Sequence, residues 1–256
     1  MKETDRATKG DDTRWLSTLL WGLCIVAGCT MLSIGMSGFR SESAHLISAT
    51  GSASTDFESD LIVWRGMFSA QDKTSKAAYA KIKSDAERIK DYLLSNGISE
   101  DEIVFNAVSV SRSTSDIFDK DGNYVRSVED GYRLQQTVEI ASGDIDVVET
   151  VSRDITSLLA EGIELESTAP EYYYTDLDDL KIQLIEQATA NSRERISAMA
   201  DGSGSKIGKL CNSNLGVFQI TAINSGTGSY SCDGAFDTSS RYKTASITVK
   251  LEYKLK

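Results

Sequence analysis

Twenty-two consecutive residues near the start of the chain, Trp15 to Met36 (WLSTLLWGLCIVAGCTMLSIGM), carry no charge. As a helix rising about 1.5 Å per residue they span roughly 33 Å, against about 30 Å for the hydrocarbon core of a bilayer. A buried helix of a soluble domain would show a polar stripe, and this run offers only Ser, Thr and Gly as polar relief. Trp15 and Trp21 stand near its leading end, where indoles favour the membrane interface. Lys2, Arg6, Lys9 and Arg14 precede it, and only Arg40 follows closely, so the excess of basic residues keeps the tail in the cytoplasm and exports the rest. The expected organisation is a cytoplasmic tail 1–14, a transmembrane anchor 15–36, a connector 37–43 and an exported domain 44–256.

A competing reading is a cleaved export signal, because Val26-Ala27-Gly28-Cys29 resembles a lipobox that would leave Cys29 as a lipid-bearing first residue. The apolar run continues past Cys29, and the leading segment is acidic for a signal peptide; both favour the uncleaved anchor. Either way the main domain is exported. The charges divide to match: 27 basic and 38 acidic side chains give −11. Glu3, Asp5, Asp11 and Asp12 cancel the four basic residues of the tail, so the whole −11 belongs to residues 37–256. An acidic domain is unsuited to nucleic acid, which needs clustered Lys and Arg. One histidine, His45, excludes a metal site built on two imidazoles from one chain.

Four cysteines follow the same division. Cys24 and Cys29 lie in the apolar run, where they need no special role. Cys211 and Cys232 lie in the exported part, where an oxidising compartment favours a disulfide between them, worth about 3 kcal/mol for a loop of that size. Two unpaired thiols are the alternative. No CxxC motif is present.

Beyond a Gly/Ser-containing connector, strands and helices alternate in the order ββαββαβαββ. His45–Thr50 and Leu61–Ala70 read as strands separated by a polar turn, the second with Trp64 and Phe68 on one face. Asp72–Asn96 is a helix with Ala78, Ile82, Ile89 and Leu93 at helical spacing and Gly97 at its end. Ile103–Ser111 and Tyr132–Ala141 are strands, with a turn at Lys120-Asp121-Gly122-Asn123. A second helix covers Asp144–Glu161, Ile163–Tyr174 is extended, and a third helix covers Leu177–Ala200, with Thr175 and Asp178 spaced as a capping box. Strands Gly208–Ala222 and Tyr242–Leu255 close the chain. The expected class is α+β, with mostly antiparallel sheets covered by three helices and preceded by the transmembrane helix.

Candidate sites are few. Asp119-Lys120-Asp121-Gly122 suggests a calcium loop, but in that register Ile117 and Val128 fall where oxygen ligands belong, so it reads as a hairpin turn. Asp176, Asp178 and Asp179 suit the start of a helix, where the dipole favours negative charge. Gly202-Ser203-Gly204-Ser205-Lys206 follows a helix and precedes a strand, the reverse of a phosphate loop, and reads as a helix stop. No GxSxG elbow accompanies His45, which reads as a strand residue. Trp64, Phe68, Tyr172, Tyr173 and Tyr174 are the candidates for an aromatic surface that meets a partner or ligand.

Four segments together resemble the SIMPL domain family over about residues 44–256. They are HLISATGSASTDFESDLIVWRGMFSA, EYYYTDLDDLKIQLIEQATANSRERISAMA, SGSKIGKLCNSNLGVFQI and ASITVKLEYKLK. The resemblance implies an exported, often membrane-anchored bacterial envelope protein with no established enzymatic activity. Some relatives are linked to oxidative-stress defence, and some form ring-like oligomers. It brings no catalytic, metal or cofactor residues with it, and no cofactor is expected.

The leading expectation is therefore a non-enzymatic protein of the bacterial inner membrane. Its periplasmic domain would act as a homo-oligomer or through a protein partner. A module for a small apolar ligand or lipid is the alternative, and a hydrolase using carboxylate acid/base chemistry the third.

Overall fold

The computed structural model describes residues 12–40, 46–223, 225 and 231–256, with side chains of the first segment described at 19–33. His45 lies outside the described residues, as do most of the tail and part of the connector. The class is α+β, with four α-helices and two sheets among the described residues. The order is α1 (Asp12–Arg40), β1 (Leu46–Glu58), β2 (Leu61–Asp72), α2 (Ser75–Ser95), β3 (Ile103–Phe105), β4 (Ser109–Phe118) and β5 (Tyr124–Ser142). It continues with α3 (Ile145–Asp154), β6 (Glu164–Ser167), β7 (Glu171–Tyr173), α4 (Leu177–Gly202), β8 (Ile207–Leu215), β9 (Gln219–Ala222), β10 (Ala235–Phe236) and β11 (Tyr242–Leu255).

Among the described residues, no helix is long and apolar enough to cross a membrane. The described part of α1 nevertheless carries exposed large apolar side chains from Leu19 and Leu20 to Met31 and Leu32.

The first sheet runs β3-β5-β2-β6, with β4 also on β5 and β7 also on β2, and every pairing in it is antiparallel. The β2–β5 ladder extends from Ile62↔Ser142 to Asp72↔Tyr132. The second sheet runs β1-β11-β9-β10, with β8 also on β11, and it is mixed because β10 lies parallel to β9. Two compact units share these strands. One comprises Gly51–Asn191 and Leu215–Val249; the other comprises Met1–Thr50, Ser192–Asn214 and Lys250–Lys256. In the larger, Ile62, Trp64 and Phe68 of β2 share a core with Leu134, Val138 and Ile140 of β5. Ala78, Ile82, Ile89 and Leu93 of α2 cover that core at helical spacing. Thr74 caps α2 by accepting a hydrogen bond from the Ala77 amide at 3.2 Å. In the smaller unit, Ser192 Oγ donates to the Ala49 carbonyl at 2.9 Å, tying α4 to the start of β1.

Several boundaries differ from the periodicity reading. The expected turn after Thr50 is strand, since β1 continues to Glu58. The expected strand Ile103–Ser111 is two strands, and β5 begins at Tyr124 rather than Tyr132. The helix after Asp144 tightens at Ile155 into a 3₁₀ stretch ending at Gly162, whose φ of +83° suits glycine. The expected strand Gly208–Ala222 breaks at Gly216, where a Cβ would stand 2.5 Å from Thr248 Oγ1. Thr175 does not act as a cap: its hydroxyl donates to Asp60 Oδ2 at 2.6 Å and its amide to Asp60 Oδ1 at 2.8 Å.

One polar residue sits uneasily in the packed face of α2. Asp85 is 5 % exposed, and its Oδ2 has no hydrogen-bond partner among the described residues. Burial pushes its carboxyl above the usual range, against the lowering pull of Lys81 and Arg88. Asp85→Asn removes the desolvated charge and is expected to stabilise the chain at neutral pH by about 1 kcal/mol. A chemical melt at pH 7 checks this, and the gain shrinks as acidification protonates the native carboxyl.

Candidate functional site

The aromatic residues singled out from the sequence divide in two. Trp64 is 0 % exposed and Phe68 1 %, so neither offers the surface expected of it. The strand alternation that placed them together on one face placed them on the core face. Trp64 Nε1 donates to Ser167 Oγ at 3.0 Å, and that hydroxyl donates to the Ser152 carbonyl at 2.7 Å. Phe68 meets Phe105 edge-on with ring centroids 6.2 Å apart. Tyr172, Tyr173 and Tyr174 are half-buried and internally engaged. Tyr173 donates to Glu171 at 3.2 Å, and the Tyr174 ring lies 5.0 Å from that of Phe57.

Tyr172 belongs to a polar cluster that the sequence did not reveal. Its hydroxyl donates to Glu149 Oε1 at 2.9 Å, and its carbonyl accepts from Lys243 Nζ at 2.5 Å. Lys243 is 2 % exposed, and burial depresses its pKa although Asp237 pulls the other way. Beside them Arg241 donates to Glu58 at 2.7 Å and to Asp146 at 2.5 Å, joining the end of β1 to the first turn of α3. Burial and the Glu149 bond push the Tyr172 hydroxyl up to about 12. The unfolded chain releases that proton near 10, so the stability Tyr172 contributes is complete below pH 10 and is lost between 10 and about 12. Tyr172→Phe is expected to flatten the fall of Tm over that alkaline window, measured against the native chain in parallel melts.

The remaining sequence candidates are accounted for locally. Cys211, on β8, and Cys232 are exposed free thiols in this structure, as are Cys24 and Cys29. Asp119 organises a turn: its Oδ1 accepts from the amides of Asp121 at 2.9 Å and Asn123 at 2.8 Å, and its Oδ2 from Asn123 Nδ2 at 3.2 Å. Those bonds hold its carboxyl below the usual range. Asp178 pairs with Lys181 at 3.1 Å on the first turns of α4. Gly204, at φ +72°, sits in the turn between α4 and β8.

The hairpin that this Asp119 turn closes carries exposed apolar surface of its own. β2 accompanies β5 only as far as the Asp72↔Tyr132 pair, so residues 109–112 still lie beside the sheet and residues 113–131 continue as a two-stranded arm. Two strands without a covering layer are marginal in water. The arm exposes Tyr124 at 59 % and Phe118 at 58 %, with Ile117, Val125 and Val128 also exposed, and Val110 at its base is exposed at 59 %. Phe118 and Tyr124 meet edge-on at the tip, 6.2 Å between centroids. Arg112 and Glu129 pair across the arm at 2.8 Å, Gln71 donates to Ser113 Oγ at 2.8 Å, and Ser127 donates to Asp116. The register shifts twice, after Ser113↔Gly131 and after Ile117↔Arg126, and both inserted residues, Asp130 and Val125, belong to β5. β4 therefore alternates without interruption.

Concavities lie elsewhere in the larger unit, among them the following two. A hollow of about 240 Å³ beside Phe68 is ringed by Ser69, Arg133 and Glu164, which are bonded to one another. A larger groove of about 720 Å³ has a mixed lining, with Ser52, Gln219 and Thr248 beside Ala53, Val217 and Ile247.

The sequence model of the SIMPL family, described as a protein of unknown function (DUF541), matches residues 47–252. No curated protein matches the chain.

Proposed function

The chain belongs to the SIMPL family, and from that premise we propose a membrane-anchored bacterial envelope protein that acts by self-association rather than catalysis. The arm carries this reading: beyond the last β2–β5 pair it exposes five large apolar side chains, with Val110 at its base, a surface that contact with another molecule would cover. The anchor is supported by the uncharged run Trp15–Met36, by its flanking basic residues and by the exposed apolar side chains of α1. The larger domain then stands in the periplasm, where the family resemblance points to defence against oxidative stress. Contact with a different protein partner is the variant of this reading in which the arm meets a foreign surface.

The full-length chain, extracted in detergent and weighed intact and as a complex, tests both parts. Retention of Met1 and a complex mass at a multiple of 27.9 kDa are expected. Loss of residues 1–28 with added lipid mass replaces the anchor by a lipoprotein at Cys29. A strictly monomeric complex overturns self-association.

A further inference from the structure

We propose that β4 is the seam of a two-fold dimer, its free edge pairing antiparallel with β4 of a second copy in a register centred on Thr114. The proposal rests on the self-association reading and specifies its contact. β4 is ten residues long, pairs with β5 on one side, and has no strand on its other side among the described residues. Such an edge presents a row of unpaired amide and carbonyl groups and templates a further strand. The edge is regular, because the two inserted residues of the arm sit in β5.

Geometry restricts how a strand can meet its own copy. A two-fold axis normal to the sheet keeps each face of one arm continuous with the same face of the other. Directly opposed side chains must therefore come from the same alternating set. Val110, Arg112, Thr114, Asp116 and Phe118 form one such set, on the face shared with Leu134 and Tyr132 of β5.

Centred on Thr114, the pairing sets Val110 against Phe118, Arg112 against Asp116 and Thr114 against itself, and by symmetry each pair occurs twice. On this face apolar meets apolar and cation meets anion on either side of the central threonine pair. On the opposite face Ser111 meets Ile117, and Ser113 meets Ser115. Moving the centre one residue either way sets Val110 against Asp116 or Arg112 against Phe118. That face of the strand, from Val110 to Phe118, is thus chemically palindromic about one residue.

The same two charges explain why the edge stays available for a copy of itself. Charged residues on an edge strand discourage pairing with arbitrary strands. Arg112 already pairs with Glu129 of its own arm and Asp116 accepts from Ser127, and a second β4 adds an acid opposite Arg112 and a base opposite Asp116. Phe118 and Tyr124 at the tip of one arm then reach Val110 at the base of the other, covering the most exposed apolar residues of the hairpin.

Charge reversal tests the register. Arg112→Asp places two acids opposite each other at both ends of the seam, and Asp116→Arg places two bases there. Each variant alone is expected to weaken self-association about tenfold, read by sedimentation of the detergent-extracted full chain. An equimolar mixture of the two restores association, because every opposed pair is then of opposite sign. Only a direct Arg112–Asp116 contact between copies produces that rescue; a damaged arm does not. A second readout is independent of affinity: Thr114→Cys, in a chain with its four native cysteines changed to serine, is expected to cross-link into a covalent dimer under mild oxidation. If the native chain associates and neither reversal changes it, or the mixture shows no recovery, the β4 seam is overturned while self-association stands. If the native chain is monomeric, both fall together.

Discussion

Trp64→Ala is expected to lower the free energy of unfolding by about 3–5 kcal/mol, the range for removing a large aromatic side chain from a core. Trp64 has no exposed surface and stands among Ile62, Phe68, Ile140 and the apolar face of α2. Its loss also leaves Ser167 Oγ without its indole donor. Gly66 adds a constraint, since a Cβ there would lie 2.5 Å from the indole ring, so the ring lies across the backbone of its own strand. Guanidinium melts read the effect as a lower midpoint at unchanged slope. A loss under about 1 kcal/mol would contradict this packing.

Gly131→Val is expected to have the second largest effect, and a local one. Gly131 has φ +126°, where a β-branched residue is strained. A Cβ there would stand 2.4 Å from the carbonyl oxygen of Asp72 and 3.0 Å from Lys73 Cα, both main-chain atoms that cannot swing aside. This glycine lies where the arm leaves the sheet, next to the last β2–β5 pair. Strain of about 1–3 kcal/mol is expected, together with faster amide exchange at residues 110–130 while α2 keeps its protection. Exchange followed by mass spectrometry separates the outcomes. Uniform acceleration through α2 would mean that the arm and the core unfold as one unit.

How much of this was readable beforehand depends on where apolar residues fall. α2 declared itself through Ala78, Ile82, Ile89 and Leu93, and β2 through its continuous apolar run, because burial leaves a periodic mark. The arm left a weak one. Ser109, Ser111, Ser113 and Ser115 alternate with Val110, Arg112 and Thr114, so no face is uniformly apolar. The Asp119–Asn123 turn was legible as a turn, while its flanks were not extended into strands, because no core called for an apolar stripe there. Trp64 and Phe68 show the converse limit: alternation reports that two residues share a face, not whether that face is wet. Arg241 and Lys243 gave no signal at all, since their partners Glu58, Asp146 and Tyr172 lie far away in sequence.

The pairing of β1 with β11 bears on the timing of folding. Arg241 reaches back 183 positions to Glu58, and in the second sheet β1 has no other neighbour than β11 among the described residues. At a synthesis rate of about 5–20 residues per second, β1 waits roughly 10–40 s for the strand that completes it. A strand that waits with an open edge is an aggregation hazard, most of all if it is rich in large apolar residues. From Ala49 to Asp56 β1 reads ATGSASTD, all small or polar side chains. β1 is thus a strand that can stay unpaired in water until β11 arrives.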